Sequence, residues 1–418
     1  MPAIELSHVT KRWGGYYGVD DLSLSIDDNA FVTLLGPSGC GKTTTLRMIA
    51  GLETPTSGKI TIGDKVVFDS ATGVNVPPNK RKVGFLFQNY ALWPNMTVRQ
   101  NIVFGLENDK TLSKAQIEER LEHVSSIVKI EPYLKRYPSE LSGGQQQRVA
   151  IARTLAPRPD VLFMDEPLSN LDAKLRLEMR SELQRLHVDT GATFVYVTHD
   201  QTEAMTLATR ICLLDNGLLQ QYDRPLSLYR DPVNLFTADF VGSPSINFIN
   251  ASAAGSGSVI DLTLLEGKHL TFTPNTPLDL AAARSAIAAD AQAQAAAEAE
   301  RSKVKGYVKK ENTESNFKYR VPTVDGNTDP AAEYVVGVRP ESVRISEDGP
   351  LTGVVYSSMP TGMDTTLRIR VGNLLLTSVV FGSVDYALDE QVRFGFAGDG
   401  VLLFDAGSGK QVARGRLG

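Results

Sequence analysis

The sequence predicts two domains of different architecture, an α/β domain over residues 1–238 and a β-rich domain over residues 239–418. In the first part, short apolar runs alternate with stretches of helix-forming residues. That order indicates a mostly parallel sheet covered by helices. In the second part, short β-like runs are separated by Gly, Asn and Asp, a spacing typical of a small β-barrel.

The elements of the α/β part follow from local composition. Buried strands are predicted over residues 31–35, 161–164 and 193–197, and helices over residues 42–50 and 173–186. Gly51 and the Pro-Thr-Ser-Gly turn at 55–58 end the first strand–helix unit, because glycine and proline interrupt regular structure.

The β-rich part contains an unusual interruption. Its strands are predicted at residues 258–265, 334–338, 351–357, 365–370 and 401–404. Between the first two lies an Ala-rich insertion over residues 278–303, whose composition favours helix because Ala is the best helix former. Since the insertion has few large apolar residues, we expect an exposed helix or a flexible segment.

Composition limits the classes of function. The 418 residues include 43 Lys and Arg against 48 Asp and Glu, a formal net charge of -5, which argues against a nucleic-acid binder held by bulk charge. No apolar run approaches the roughly 18 residues of a membrane span, and the start lacks the features of a signal peptide. The two cysteines, Cys40 and Cys212, are far apart in the sequence, so we expect a cytoplasmic protein without a disulfide framework.

A glycine-rich turn joins the first predicted strand to the first helix and fits the phosphate-loop pattern G-x-x-x-x-G-K-S/T. Its glycines let several backbone N–H groups point at one anion, and the helix N-terminus adds a favourable partial charge. Lys42 then reaches the β- and γ-phosphates, and the Thr43 hydroxyl binds Mg²⁺. Cys40 is interpreted as a small filler. The predicted nucleotide-contacting residues of this loop are Gly36, Pro37, Ser38, Gly39, Cys40, Gly41, Lys42, Thr43 and Thr44.

Two carboxylates directly follow the strand predicted at residues 161–164. Asp165, at the end of a buried strand beside the phosphate loop, is suited to hold Mg²⁺ directly or through water. Glu166 is suited to polarise an attacking water. An apolar run followed by Asp-Glu is common, so the weight of this pair comes from its co-occurrence with the phosphate loop.

Three further segments narrow the class. Residues 141–145, Leu-Ser-Gly-Gly-Gln, begin a helix and form a second helix N-terminus suited to bind an anion. A capped surface helix gives the same pattern. Residues 169–172 end in Asp172 just beyond the acidic pair, and Asp172 is interpreted as a further nucleotide-binding residue. His199 follows the strand at 193–197; a lone His there is usually structural, but beside a nucleotide it can donate a hydrogen bond to the γ-phosphate. The helix-start residues interpreted as nucleotide ligands are Ser142, Gly143, Gly144 and Gln145.

In their order, these segments resemble the ATPase domain of ABC transporters. Residues 83–88, Val-Gly-Phe-Leu-Phe-Gln, resemble that family's glutamine loop, and residues 141–145 match its signature in full. The resemblance implies an ATPase that uses ATP and Mg²⁺. It implies a catalytic set of Glu166, His199 and Gln88, and a metal set of Thr43, Gln88 and Asp165. It also implies a dimer in which each site takes Ser142 and Gly144 from the opposite chain.

A narrower resemblance, to the maltose-type sugar-importer ATPases, extends over nearly the whole chain. Residues 9–14 resemble the segment whose aromatic residue stacks on adenine, a role for Trp13 with Tyr16 and Tyr17 as rivals. Residues 242–248 and 337–341 resemble the link into, and a hallmark of, the C-terminal regulatory domain. An OB-like or TOBE-like β-barrel regulatory domain is therefore implied, and the Ala-rich insertion has no counterpart in that pattern.

Together these resemblances imply the ATP-hydrolysing subunit of a bacterial sugar importer, peripheral to the cytoplasmic face of the cell membrane. The implied partners are a second copy or a related ATPase, two integral-membrane permease subunits and, indirectly, an extracytoplasmic solute-binding protein. An importer for glycerol phosphate or an inorganic anion stays an alternative. The acidic balance and single phosphate loop disfavour a soluble ABC ATPase acting on DNA or ribosomes, and a P-loop kinase has no use for residues 141–145.

Overall fold

The computed structural model describes residues 2–265, 267–302, 308, 317–326, 332–382 and 384–418. The chain divides into two compact units, one reaching to Pro225 and one beginning at Leu226. The domain boundary near residue 238, expected from the change in sequence pattern, stays a prediction. None of the helices in the described ranges is long and apolar enough to cross a membrane.

The first unit contains eleven strands and six helices among its described residues. The strands are β1 (Pro2–Trp13), β2 (Tyr16–Asp27), β3 (Phe31–Leu35), β4 (Ser57–Ile62), β5 (Lys65–Asp69), β6 (Val74–Asn75), β7 (Val83–Leu86), β8 (Val161–Asp165), β9 (Thr193–Val197), β10 (Arg210–Asp215) and β11 (Leu218–Asp223). The helices are α1 (Lys42–Ala50), α2 (Val98–Glu107), α3 (Lys114–Ile127), α4 (Gly143–Leu155), α5 (Ala173–Thr190) and α6 (Gln201–Leu207).

The central sheet has the strand order β11-β10-β3-β9-β8-β7. All neighbouring pairs from β10 to β7 are parallel, and β11 is an antiparallel edge strand. Every residue of β3, β8 and β9 is buried, as expected for parallel strands covered on both faces. The predicted parallel sheet is thus confirmed, and its strand ends bring the candidate site together.

A second sheet, with the order β2-β1-β4-β5-β6, is antiparallel and was not predicted. Buried and exposed side chains alternate only in part along its strands, because register shifts interrupt the pairing of β1 with both β2 and β4. The helix predicted over 173–186 runs four residues further, to Thr190, where Gly191 caps it with a positive φ of 63°.

The second unit carries the β-rich fold. Its helices are α7 (Pro225–Arg230), α8 (Leu235–Phe240) and α9 (Leu280–Ser302). Its strands are β12 (Asn247–Ala254), β13 (Ile260–Leu264), β14 (Lys268–Pro274), β15 (Tyr334–Val338), β16 (Val343–Ile345), β17 (Leu351–Pro360), β18 (Asp364–Val371), β19 (Leu374–Phe381), β20 (Gln391–Phe396), β21 (Val401–Asp405) and β22 (Gln411–Leu417). Six of them close the barrel β12-β13-β14-β22-β21-β15, and five form the sheet β16-β20-β17-β18-β19. The predicted β-barrel is confirmed.

The Ala-rich insertion is a helix, α9, over residues 280–302; its predicted last residue, Lys303, lies outside the described residues. The Asp279 carboxylate accepts hydrogen bonds from the first amides of α9. Arg284 lies 3.2 Å from Glu333 and stacks over the Tyr334 ring. These contacts attach α9 to the barrel, although most of its side chains are exposed.

The segment 337–341 has a structural role in this unit. The buried Arg339 guanidinium donates to the carbonyl oxygens of Ala238 and Val241 at 2.9 and 2.7 Å and to that of Tyr229 at 2.7 Å. It also stacks on the Tyr229 ring at 4.0 Å. Burial lowers the pKa of Arg339. The guanidinium therefore ties α7 and α8 to the end of β15.

Candidate nucleotide site

The loop between β3 and α1 has a conformation that requires glycine. Gly36, Gly39 and Gly41 have φ values of 146°, 82° and 105°, which L side chains rarely adopt. A Cβ on Gly36 would also collide with the carbonyl oxygen of Leu214, and one on Gly41 with that of Gly18. Because Gly41 at the N-cap has no side chain, it offers no cap to the first amides of α1. Such amides are suited to bind an anion.

Lys42 lies across this loop. Its buried ammonium donates to the carbonyl oxygens of Gly36 and Pro37 at 2.7 and 2.8 Å. The Cys40 sulfur is 3.7 Å away. Burial raises the pKa of Cys40, while Lys42 acts in the opposite direction. The thiol is therefore a small buried group beside the ammonium, and the positive charge lies at the centre of the loop.

Thr43 and Asp165 meet at the end of β8. The Thr43 hydroxyl donates to Asp165 Oδ1 at 2.8 Å, and Arg47 Nη2 lies 3.4 Å from Oδ2. Asp165 is only 5% exposed, so these partners satisfy a carboxylate that burial would otherwise disfavour. A hydroxyl and a carboxylate side by side are oxygen donors of the type that Mg²⁺ prefers. Arg47 was not predicted, since nothing in its sequence position marks it.

Glu166 and His199 follow two adjacent parallel strands, β8 and β9. Glu166 has a φ of 46°, which turns the chain sharply at the strand end, and its amide donates to the Val197 carbonyl at 3.1 Å. Its Oε2 lies 3.3 Å from His199 Nδ1. Strained backbone of this kind is concentrated at functional sites. The structure therefore places the predicted carboxylate and imidazole together.

Gln88 reaches the same edge through a residue that sequence reasoning did not select. Gln88 Nε2 donates to the Ser169 hydroxyl at 3.3 Å, and that hydroxyl donates to the Glu166 carbonyl at 2.9 Å. Asn170 returns a hydrogen bond to the Gln88 carbonyl. Ser169 is three positions beyond Glu166, and only the fold reveals that it bridges Gln88 to Glu166.

The segment 141–145 forms the start of α4. Ser142 and Gln145 hydrogen bond reciprocally, side chain to backbone amide, at 3.4 and 2.9 Å, which is a capping box. Gly143 is exposed, whereas Gly144 is buried and a Cβ there would lie 2.8 Å from Leu175. The structure thus gives this segment a capping role within the chain and leaves Ser142 at the surface.

Asp172 likewise caps a helix. Its carboxylate accepts a hydrogen bond from the Leu175 amide at 3.0 Å, so it begins α5. Lys42, Thr43, Asp165, Glu166, His199 and Gln88 gather at one edge of the sheet. Ser142 and Asp172 instead begin separate helices.

Three aromatic residues compete for the role of adenine platform. Tyr17 is 6% exposed, whereas Trp13 and Tyr16 are 49% and 43% exposed, with ring centroids 6.5 Å apart. The Trp13 ring lies against Gly18, the residue that abuts Gly41 of the phosphate loop. The Tyr16 hydroxyl contacts the Gly39 carbonyl at 3.5 Å. Burial argues against Tyr17, and both remaining rings lie beside the loop.

Replacing Trp13 with Ala is expected to weaken ATP binding about fivefold to tenfold, because stacking on an aromatic face contributes on the order of 1 kcal/mol. Calorimetric titration of the full chain with ATP measures this change. Tyr16→Ala is the matched variant. An unchanged affinity in Trp13→Ala, with a loss in Tyr16→Ala, would assign the platform to the tyrosine.

Comparison with known proteins gives two family matches. A family model described as ABC transporter matches residues 19–169, and one described as TOBE domain matches residues 336–404. The xylose/arabinose import ATP-binding protein XacJ of Haloferax volcanii is 52% identical over 67% of this chain and 68% of its own. The trehalose/maltose import ATP-binding protein MalK of Thermococcus litoralis is 49% identical over 62% and 69%. The sn-glycerol-3-phosphate import ATP-binding protein UgpC of Ruegeria pomeroyi is 46% identical over 65% and 74%.

Proposed function

Because the chain belongs to the family of ABC transporter ATP-binding proteins, we propose that it is the ATP-hydrolysing subunit of an importer, coupling ATP binding and hydrolysis to solute uptake. The observation that carries this proposal is the convergence of Lys42, Thr43, Asp165, Glu166 and His199 at the ends of adjacent parallel strands. A triphosphate bound by the loop would place its γ-phosphate among these groups.

The residues present suit Mg²⁺. Thr43 and Asp165 supply a hydroxyl and a buried carboxylate within 2.8 Å of each other, and Gln88, joined through Ser169 to the Glu166 carbonyl, would add an amide oxygen. These are the side chains that would hold the ion in our proposal. A bound Mg²⁺ would neutralise negative charge on the phosphates.

In the proposed reaction, Glu166 accepts a proton from the water that attacks the γ-phosphate. His199, whose Nδ1 lies 3.3 Å from Glu166 Oε2, donates a hydrogen bond to that phosphate. Lys42 and the first amides of α1 hold the phosphates in place. These groups therefore supply charge, orientation and one proton acceptor, which is what phosphoryl transfer to water requires.

We propose that the working unit is a dimer, of two copies or with a related ATPase. Ser142 and Gly143 form an exposed helix start whose flexible backbone suits a phosphate. In a dimer, this helix start would complete the site of the opposite chain, with Gly144, Gln145 and Asp172 beside it.

For the solute we propose a sugar. XacJ and MalK, with 52% and 49% identity, are named as import ATP-binding proteins for xylose/arabinose and for trehalose/maltose. UgpC, at 46%, is named as the import ATP-binding protein for sn-glycerol 3-phosphate, which makes that phosphate ester the second candidate solute. Uptake of labelled sugars and of labelled glycerol 3-phosphate into cells with and without this chain distinguishes the two.

The partners proposed are two membrane permease subunits, which would hold the chain at the cytoplasmic face of the membrane, and an extracytoplasmic solute-binding protein. A cavity of about 950 Å³ adjoins the glutamine loop and is lined by Phe85, Phe87, Ala91, Trp93 and Arg153 among others. Arg153 supports this groove, since its guanidinium donates to the carbonyl oxygens of Tyr90 and Ala91 and stacks on Trp93 at 4.9 Å.

A cysteine in place of exposed Asn95 is expected to crosslink to a permease in native membranes, because this groove is where we place the membrane subunit. Both native cysteines are buried, so the introduced thiol is the reactive one. Asp64→Cys, in the exposed turn between β4 and β5, is the matched control. Crosslinks from Asn95→Cys only to soluble proteins or ribosomes would overturn the importer proposal.

A further inference from the structure

A buried group of polar side chains lies beneath the site and has no role in the reaction described above. The carboxylate of Glu203, in α6, is 3% exposed. Its Oε2 accepts hydrogen bonds from the hydroxyls of Tyr196 and Thr198 at 2.8 and 2.7 Å. Its Oε1 lies 3.8 Å from Arg176 Nε, in α5. Two hydroxyls and a guanidinium thus offset the cost of burying this charge.

This group contacts both neighbours of His199. Thr198, immediately before it, donates its hydroxyl proton to Glu203 and accepts a hydrogen bond from the Asp200 amide at 3.0 Å. Asp200, immediately after it, caps α6 through the amides of Thr202 and Glu203. The Thr198 amide donates to the Leu34 carbonyl, in the strand that leads to the phosphate loop. The backbone that carries His199 is therefore fixed on both sides.

The same group also reaches the segment that follows the acidic pair. Arg176 Nη1 lies 3.4 Å from Asp200 Oδ2, and Arg176 Nη2 donates to the Leu171 carbonyl at 3.2 Å. Leu171 lies between Ser169 and Asp172. The Ser169 hydroxyl accepts a hydrogen bond from Gln88 and donates one to the Glu166 carbonyl. A single guanidinium thus joins the His199 turn to the 169–172 segment.

We propose that Glu203 and Arg176 are positioning residues that hold His199, with the 169–172 segment as the support to which Arg176 ties the His199 turn, so that the imidazole and the Glu166 carboxylate face the same phosphate. This inference rests on the proposed function, because it assigns Glu203 an effect on hydrolysis exerted through His199. Glu203 contacts Thr198 and Asp200, the two neighbours of His199, and Arg176 contacts Asp200 and Leu171.

Charge is the property on which the arrangement depends. A Gln at 203 keeps nearly the same shape and an oxygen that accepts from the two hydroxyls. It removes the negative charge that faces Arg176 and directs an amide N–H₂ toward a guanidinium, so two donors oppose each other. The expected result is a shifted Arg176 and a looser turn around His199, while the phosphate loop is left intact.

The test is a double-mutant cycle on the full chain, following phosphate release and ATP binding. Glu203→Gln is expected to lower kcat about tenfold, equivalent to about 1.4 kcal/mol of activation free energy, and to change the Kd for ATP less than twofold. In the His199→Ala background, Glu203→Gln should lower the residual kcat less than twofold, since the group through which it acts is gone. Equal tenfold losses in both backgrounds would overturn the inference.

The role proposed for His199 fails separately, if His199→Ala alone leaves kcat unchanged, and the proposed function fails if the unaltered chain does not hydrolyse ATP. Thr198→Val serves if Glu203→Gln does not fold: it removes one hydroxyl and should lower kcat several-fold, and Thr198→Ser should restore it to within twofold. Loss in both Thr198 variants would indicate packing and would count against the inference. Glu182→Gln makes the same change as Glu203→Gln at a carboxylate that pairs with Lys129, so it is the control and should retain full turnover.

Discussion

Glu166→Gln is expected to slow ATP hydrolysis by roughly 10² to 10⁴ while leaving ATP binding nearly unchanged. The substitution keeps the size of the side chain but removes the proton acceptor, and general-base catalysis typically contributes a factor of that order, or about 3 to 5 kcal/mol of barrier. Binding depends mainly on Lys42 and the loop amides, which the change does not touch. A dimer joined through the bound γ-phosphate should therefore persist in this variant.

Two measurements test this expectation together. Phosphate release gives the rate, and size-exclusion chromatography with ATP and Mg²⁺ shows whether the dimer accumulates. Glu182→Gln is the matched control, because it makes the same change at a carboxylate that forms a surface pair with Lys129 at 3.0 Å. Near-normal turnover in Glu166→Gln would assign proton transfer to another group, with His199, 3.3 Å away, as the first candidate.

Local patterns were sufficient to predict the parts of the site whose chemistry is encoded in adjacent residues. The phosphate loop needs glycines at three positions of positive φ, and that requirement appears directly in the sequence. The fully buried strands β3 and β9 appear as mostly apolar runs, each with one threonine, and have the bounds that were predicted. Asp165 and Glu166 could then be assigned to the site, because the strand that precedes them was expected to end beside the phosphate loop.

Contacts between distant segments could not be read in this way. Ser169 joins Gln88 across 81 positions, and Arg176 joins Asp200 across 24. Each is an ordinary polar residue in its own segment, and only the folded chain brings the partners within hydrogen-bond distance. The antiparallel sheet of β1, β2, β4, β5 and β6 was missed for a related reason, since register shifts disturb the alternation that marks such strands.

Ser142→Arg is expected to reduce ATP turnover roughly 100-fold, while the Kd of the monomer for ATP changes by no more than about twofold. In the proposed dimer, Ser142 packs closely against the phosphate bound by the opposite chain. An arginine there overfills the closed interface at a cost of up to about 3 kcal/mol, which corresponds to about two orders of magnitude in rate. Size-exclusion chromatography with ATP and Mg²⁺ should show only monomer, the opposite of Glu166→Gln.

Ser113→Arg separates this effect from simple loss of a helix cap. Ser113 begins α3 with the same reciprocal pairing to Gln116, at 3.3 and 2.8 Å, that Ser142 makes with Gln145. Both substitutions remove a cap that contributes about 1 kcal/mol, so both should lower the melting temperature by similar amounts. Only Ser142→Arg should abolish dimer closure and turnover. If the two variants lose activity equally, the helix start at Ser142 stabilises the chain and does not contact the opposite nucleotide.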